Sequence, residues 1–262
     1  MDLGIAGRKA IVAGASAGMG KAAALALARE GVEIFLSARG EERLIAAAAE
    51  IAAETGVKVT PVVADHGAAE GRAALLAACP EPDILVITCS PPKSTADFRD
   101  ITPEDWHASA ATTLVGPIEL MRATVDGMAA RGFGRVVNIA TIAAKNPAEA
   151  RLLSGPTRSA LANYCVAISK GLARHNVIIN TILPGMFHTA TTGANFTAQA
   201  AANGTSYDEE VAKSVKSLRI PARRFGDPED VGAFVAMFCS RHAGYVVGQS
   251  LVIDGGLINS LF

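Results

Sequence analysis

Short runs of apolar residues alternate along this chain with longer stretches in which apolar positions recur every three or four residues. The first pattern suits strands buried on both faces, and the second suits helices laid against a sheet. Residues 10–12 read as a strand and an alanine-rich helical stretch follows Gly20; residues 32–36 read as a second strand, 41–54 as a helix, 57–63 as a third strand and 67–78 as a helix. The wholly apolar stretch 84–87 fits a central parallel strand. Thr102-Pro103-Glu104-Asp105 supplies an N-cap, a proline at the first helical position and first-turn acids, so a long helix should start there and run toward Ala130, with Gly116-Pro117 placed to bend it. Residues 134–139 form the expected fifth strand, about 159–173 a helix, 177–182 the sixth strand and 251–253 the seventh, with Asp227-Pro228-Glu229-Asp230 capping the last helix. This rhythm predicts a single α/β domain over residues 1–262, built on a doubly wound, parallel, seven-stranded sheet.

One segment breaks the pattern. After Pro184-Gly185 stops the sixth strand, residues 186–218 loosen into Thr-, Ala- and Asn-rich sequence with Gly193 and Gly204. Open α/β sheets hold ligands at the C-terminal ends of their strands, so this stretch is expected to be a substrate loop or lid. A chain of 262 residues that is 50% hydrophobic can bury one large core. Its net charge of −1, with no basic run, argues against a nucleic-acid partner. No stretch approaches the roughly 20 apolar residues that span a bilayer, and residues 1–9 lack the pattern of a signal segment, so the expectation is a soluble cytoplasmic protein with no membrane partner. Cys79, Cys89, Cys165 and Cys239 are far apart, as are the five histidines, which gives neither a disulfide framework nor metal-ligand spacing.

The chemistry begins at Gly14, Gly18 and Gly20, between the first strand and its helix, in a turn that also holds Ser16 and Met19. A dinucleotide pyrophosphate needs bare backbone at a helix N-terminus, where free N–H groups and the helix dipole stabilise its charge. Past the second strand, where an acid would hold the ribose 2′-hydroxyl of NAD, the chain has Ser37-Ala38-Arg39. Arg39 offers a cationic fork for a 2′-phosphate, with Ser37 as a second donor, so NADP(H) is favoured over NAD(H).

In this order the motifs resemble the short-chain dehydrogenase/reductase family along nearly the whole chain. The matching pieces are Gly14, Gly18 and Gly20, Asp65, Trp106, the stretch 134–138, Asn180 with Pro184-Gly185, Thr189, and the C-terminal Gly248-Gln249 and Asp254-Gly255-Gly256. The resemblance implies a Rossmann-type fold, Asp65 at the adenine with His66 and Ser90 nearby along the cofactor, and Pro184, Gly185 and Thr189 beside the nicotinamide. It also implies a homo-oligomer, tetramer or dimer, with the C-terminal segment in the interface. The family's catalytic Asn, Ser, Tyr and Lys fall, counted without gaps, on Thr113, Thr141, Ser154 and Arg158. All four are substituted, and the family's N-N-A-G after the fourth strand is here Ile87-Thr88-Cys89-Ser90, followed by Pro91-Pro92.

A phenol can be brought to exchange protons near neutrality, whereas a serine hydroxyl is a far weaker acid and arginine does not titrate. Ser154 is therefore a poor general acid. Thr141 can still hydrogen-bond a carbonyl, and Arg158 can supply positive charge or hold the cofactor's ribose, on the cofactor path as well as the catalytic one. Other donors are few: Tyr164 lies too far along its helix and reads as a packing residue, while His188 and Tyr207 in the loose segment are better placed, His188 having the more suitable ordinary pKa. The expected function is an NADP(H)-dependent oxidoreductase that interconverts a carbonyl and an alcohol on a small substrate. Pro91, Pro92, Met186 and Phe187 point to an apolar one. The alternative is a catalytically weak or inactive homologue that acts as a cofactor sensor or partner subunit.

Overall fold

Seven strands lie side by side in the order β3-β2-β1-β4-β5-β6-β7, and every neighbouring pair is parallel. The computed structural model describes residues 1–94 and 97–258. The strands are β1 (Lys9–Ala13), β2 (Glu33–Ala38), β3 (Val59–Val63), β4 (Ile84–Thr88), β5 (Gly134–Ile139), β6 (Val177–Pro184) and β7 (Ser250–Ile253). Between them run α1 (Gly18–Arg29), α2 (Glu41–Thr55), α3 (Ala69–Ala78), α4 (Pro103–Ala110), α5 (Gly116–Ala130), α6 (Gly155–Leu172), α7 (Ala190–Asn203), α8 (Tyr207–Leu218) and α9 (Pro228–Cys239). The expected doubly wound parallel sheet is present. Its strand order reverses between β1 and β4, and that switch point opens a crevice at the C-terminal strand ends.

Alternation of side chains across the pleat splits the core in two. Ala10, Val12, Ile34, Leu36 and Val86 join the layer packed by α1, α2 and α9. Ile11, Ala13, Phe35, Leu85 and Ile87 join the layer packed by α3, α5 and α6. Because both faces are covered, the central strands carry no polar alternation, and each buried Val, Leu or Ile contributes about 1.5–3 kcal/mol.

Three expectations are corrected. The helix expected from about 159 begins at Gly155, because Pro156 sits in its first turn where a missing N–H costs nothing. The long helix from Thr102 does reach Ala130, but its irregularity is a π turn at Ala111–Val115 rather than a bend at Gly116-Pro117. The segment expected to be loose is two regular helices. The Thr189 side chain caps α7, and Ser206 with Glu209 forms a capping box on α8. Gly204 ends α7 in the left-handed region that suits it. The hairpin has its own small core of Val215, Ile220 and Phe225, joined by Met186, Phe196 and Val211.

Glu210 secures this hairpin: its carboxylate accepts from the Lys213 ammonium at 2.7 Å and the Thr205 hydroxyl at 2.6 Å. Those bonds pull its pKa from 4.5 down to about 2. A depressed carboxylate stabilises the fold fully above its unfolded pKa, and the contribution fades as pH falls through the folded value. Pepsin cleavage within 190–218 should therefore increase as pH drops from 4.5 toward 2, and Glu210→Gln should flatten that increase. Identical acid profiles in the two proteins would show that this carboxylate does not hold the hairpin.

Candidate active site

The turn after β1 is shaped by close backbone approach. Gly14 has φ +78°, and a Cβ built on it would lie 2.1 Å from the Thr88 carbonyl oxygen. A Cβ on Gly20 would meet the Gly14 carbonyl at 2.5 Å. Both positions exclude every side chain. The N-cap of α1 is Ala17, which makes no side-chain cap, and no acid lies in the first turn, so the N–H groups of Gly18 and Met19 stay unclaimed by side chains. Thr189, at the start of the helical hairpin, stands over this turn, with its side chain 3.5 Å from where a Cβ on Gly18 would be.

Beside the turn, a cavity of about 90 Å³ is lined by six residues expected from sequence: Gly14, Ser16, Arg39, Asp65, His66 and Ser90. Cys89, Thr112 and Arg43 also line it and were not expected. The Arg43 guanidinium folds back over Gly40, the uncapped N-terminus of α2, its Nη2 3.6 Å from where a Cβ would sit, and Arg43 lines the same cavity as Arg39. The spacing R-x-x-x-R across a helix start is the signal that could have found it. Arg39 makes a long ion pair of 4.0 Å with Asp65. Ser37 is placed elsewhere: it is fully enclosed and its hydroxyl has no partner.

The four positions that stand for the family tetrad occupy the ends of β5 and the helices beside it. Thr141 follows β5, and its hydroxyl accepts from the Ala143 N–H at 3.3 Å. Ser154 is buried at the start of α6. Thr113, in the π turn, is also buried, with its hydroxyl 2.7 Å from both the Ser109 carbonyl and the Thr157 hydroxyl. Arg158 is committed to the backbone: Nη1 donates to the carbonyls of Ala140 at 3.0 Å and Ile139 at 3.3 Å, and Nη2 to that of Cys89 at 2.8 Å. Its Nε has no partner. Burial pulls the guanidinium below its ordinary pKa, yet no carboxylate pairs with it among the described residues. Arg158 thus ties β4 to β5 where the two strands enter the crevice.

Pro184 ends β6, and Gly185 donates to the Ile253 carbonyl; a Cβ on Gly185 would lie 2.7 Å from the Asp254 Cβ. His188 and Tyr207 are brought together, Nδ1 to hydroxyl at 2.8 Å, with the His188 ring 5.5 Å from that of Phe225. Their rings pack on the hairpin core through Phe196 and Phe225, and His188 lines a second cavity of about 320 Å³ along α1. Tyr164 packs against the core, as expected for a packing residue.

Glycine turn, strand order and crevice together define a doubly wound α/β protein with bare backbone at its switch point. The family model described as enoyl-(acyl carrier protein) reductase matches residues 14–258. Human dehydrogenase/reductase SDR family member 4 is 30% identical over 257 residues, covering 96% of this chain and 88% of that protein. The 3-oxoacyl-[acyl-carrier-protein] reductase of Aquifex aeolicus is 26% identical over 261 residues, with 98% and 100% covered. L-sorbose reductase from Gluconobacter frateurii, solved with NADPH and L-sorbose, superposes with a TM-score of 0.95 at 29% identity over the full length of both chains. The chain belongs to the short-chain dehydrogenase/reductase family, whose members matched here are oxidoreductases.

Replacing Arg158 by Met strips three carbonyls of their charged donor in a buried site. This should cost about 2–4 kcal/mol of stability, read from the urea midpoint, with Arg158→Lys costing less. An unchanged midpoint in Arg158→Met would mean that the guanidinium does not brace the two strands.

Proposed function

We propose that this chain is an NADP(H)-dependent oxidoreductase that interconverts a carbonyl and an alcohol on a small substrate. The observation that carries the reading is the junction of an uncapped phosphate turn with a cavity holding two guanidinium groups, Arg39 and Arg43. The bare backbone of Gly14, Gly18 and Gly20 fits a pyrophosphate, and the paired forks at α2 fit a 2′-phosphate. Asp65, His66 and Ser90 then border the adenosine, and Pro184, Gly185 and Thr189 the nicotinamide end. When bound, the cofactor supplies or accepts hydride. Thr141 and Ser154 orient the substrate oxygen by hydrogen bonding. Arg158 acts as a fixed cation behind them, and Thr113 as a tie between helices.

Proton supply distinguishes this site from its relatives. Neither Thr141 nor Ser154 titrates near neutrality, so the proton comes from water admitted to the crevice or from the His188–Tyr207 pair when the hairpin closes. A specific observation favours a second reading: three of the five Arg158 N–H donors are spent on backbone carbonyls, so the guanidinium is held by the frame, as suits a slow enzyme or a cofactor sensor. The exposed Phe234, Met237, Tyr245 and Val246 on and after α9, together with the edge of β7 that is unpaired among the described residues, support assembly into a dimer or tetramer. No helix among the described residues is long and apolar enough to cross a membrane.

Calorimetric titration with NADPH and NADH tests the cofactor assignment. Arg39→Asp should weaken NADPH binding by about 10–100-fold with little effect on NADH, and Arg43→Ala should act in the same direction by about tenfold. Equal losses for both nucleotides would overturn it. The catalytic assignment is tested by restoring the family's residues. In a carbonyl-reduction assay, Ser154→Tyr with Arg158→Lys should raise kcat by about 10²-fold or more, the worth of a placed general acid. No gain, in a variant that still binds NADPH, would remove Ser154 and Arg158 from the reacting centre.

A further inference from the structure

The π turn in the long helix is pinned from the nucleotide side. His66 is 6% exposed, lines the nucleotide cavity, and its Nε2 lies 3.1 Å from the Thr112 carbonyl. A carbonyl only accepts, so Nε2 carries the proton, and burial holds the imidazole's pKa below its ordinary value. The Cys89 thiol donates to the same carbonyl at 3.2 Å. The fit is tight around this bond: a Cβ on Gly116 would lie 2.4 Å from the His66 carbonyl oxygen, and one on Gly67 would lie 3.0 Å from the Thr112 hydroxyl. Arg72 holds the His66 carbonyl at 2.9 Å. The loop after β3 is thus locked onto a π turn, an irregularity often found at functional sites.

From that turn a second set of bonds continues to α6. Thr113, next to Thr112, has its hydroxyl 2.7 Å from that of Thr157, and the Thr157 hydroxyl lies 3.0 Å from the Leu153 carbonyl. Ser109, one turn earlier on α4, donates to the same Leu153 carbonyl at 2.7 Å. Leu153 immediately precedes Ser154. A continuous path of hydrogen bonds and covalent neighbours therefore runs from a wall of the nucleotide cavity, through His66, Thr112, Thr113 and Thr157, to the residue at the catalytic tyrosine position. Every side chain on it except Thr112 is buried.

We propose that His66 is a positioning residue. By holding the Thr112 carbonyl it fixes the π turn, and through Thr113 and Thr157 the turn fixes Ser154 in the crevice. This rests on the reading of the crevice as a nucleotide-dependent active site. His66 touches neither the substrate nor the reacting carbon, so its effect through Ser154 is read in turnover, separately from any change in nucleotide affinity that follows from its place beside the adenosine.

Amide hydrogen exchange on the free protein tests the path without relying on activity. His66→Leu removes the donor, whereas His66→Gln returns an amide N–H at similar reach. Losing one net hydrogen bond should speed exchange about tenfold in His66→Leu, both across 109–116 and across 153–158, with His66→Gln close to wild type. Thr157→Val, which cuts the far link with little change of shape, should speed exchange across 153–158 and leave 64–68 unchanged. In the carbonyl-reduction assay, His66→Leu should lower kcat several-fold at nearly constant KM, and His66→Gln should restore it. The proposal is overturned if exchange across 153–158 does not respond to His66→Leu, or if His66→Gln behaves like His66→Leu. Should His66→Leu fail to fold, a Thr157→Val protein with unaltered exchange across 153–158 overturns it equally. NADPH titration of the wild-type protein judges the underlying reading by itself: absent binding defeats the cofactor assignment, while the exchange result still decides whether His66 fixes Ser154.

Discussion

Where β1 gives way to its turn, two backbones come so close that the rest of the site is arranged around the contact. The Gly14 position and the Thr88 carbonyl leave a 2.1 Å gap to any added Cβ, and Gly20 repeats the constraint one step further along. A side chain at either place would push β1 from β4 or lift α1 from the sheet. With glycine at both, α1 starts directly at the switch point with its N–H groups bare, and the crevice forms between strands that remain fully paired. The fold and the phosphate turn are in this sense one feature. The geometry that lets β1 and β4 be neighbours also supplies an anion site at their ends.

On the other side of the crevice the constraint is electrostatic. A guanidinium buried without a carboxylate is costly unless its N–H groups find acceptors, and Arg158 finds three carbonyls at the ends of β4 and β5. These carbonyls are available because both strands stop there. A lysine at the same place has a single ammonium group and could not span all three. The guanidinium in this chain therefore braces the strand ends.

How much of this was legible in the sequence depends on the range of the interaction. The central strand β4 was readable because burial on both faces leaves residues 84–87 apolar without interruption. β2 runs two residues past its apolar run only because Ser37 and Ala38 continue a ladder to β1 and β3 that leaves no local mark. The hairpin α7–α8 was missed because Thr and Ser abound there, so the caps Thr189 and Ser206 do not stand out from their neighbours. Gly14, Ser16 and Arg39 were legible from the glycine turn and the end of the second strand, and Asp65, His66 and Ser90 from the family resemblance. Arg43 was not, since its guanidinium reaches the cavity only by folding back over Gly40. Nor does any motif show that Arg158 points at backbone, or that Ser37 is sealed away, because both depend on what surrounds them in three dimensions.

The same distinction explains why the polar path from His66 to Ser154 escapes a reading by motif. Its members come from the loop after β3, from a π turn in mid-helix and from the first turn of α6, and its long-range contacts join residues 46 and 44 positions apart. A family pattern records residues that meet the cofactor or substrate, and these residues meet each other. Burial raises what is at stake along the path, because each donor withheld from water must find a protein acceptor or destabilise the fold. On the proposed reading such a path is satisfied in one arrangement, and that arrangement fixes Ser154, so that placement by buried hydroxyls is what the protein contributes there.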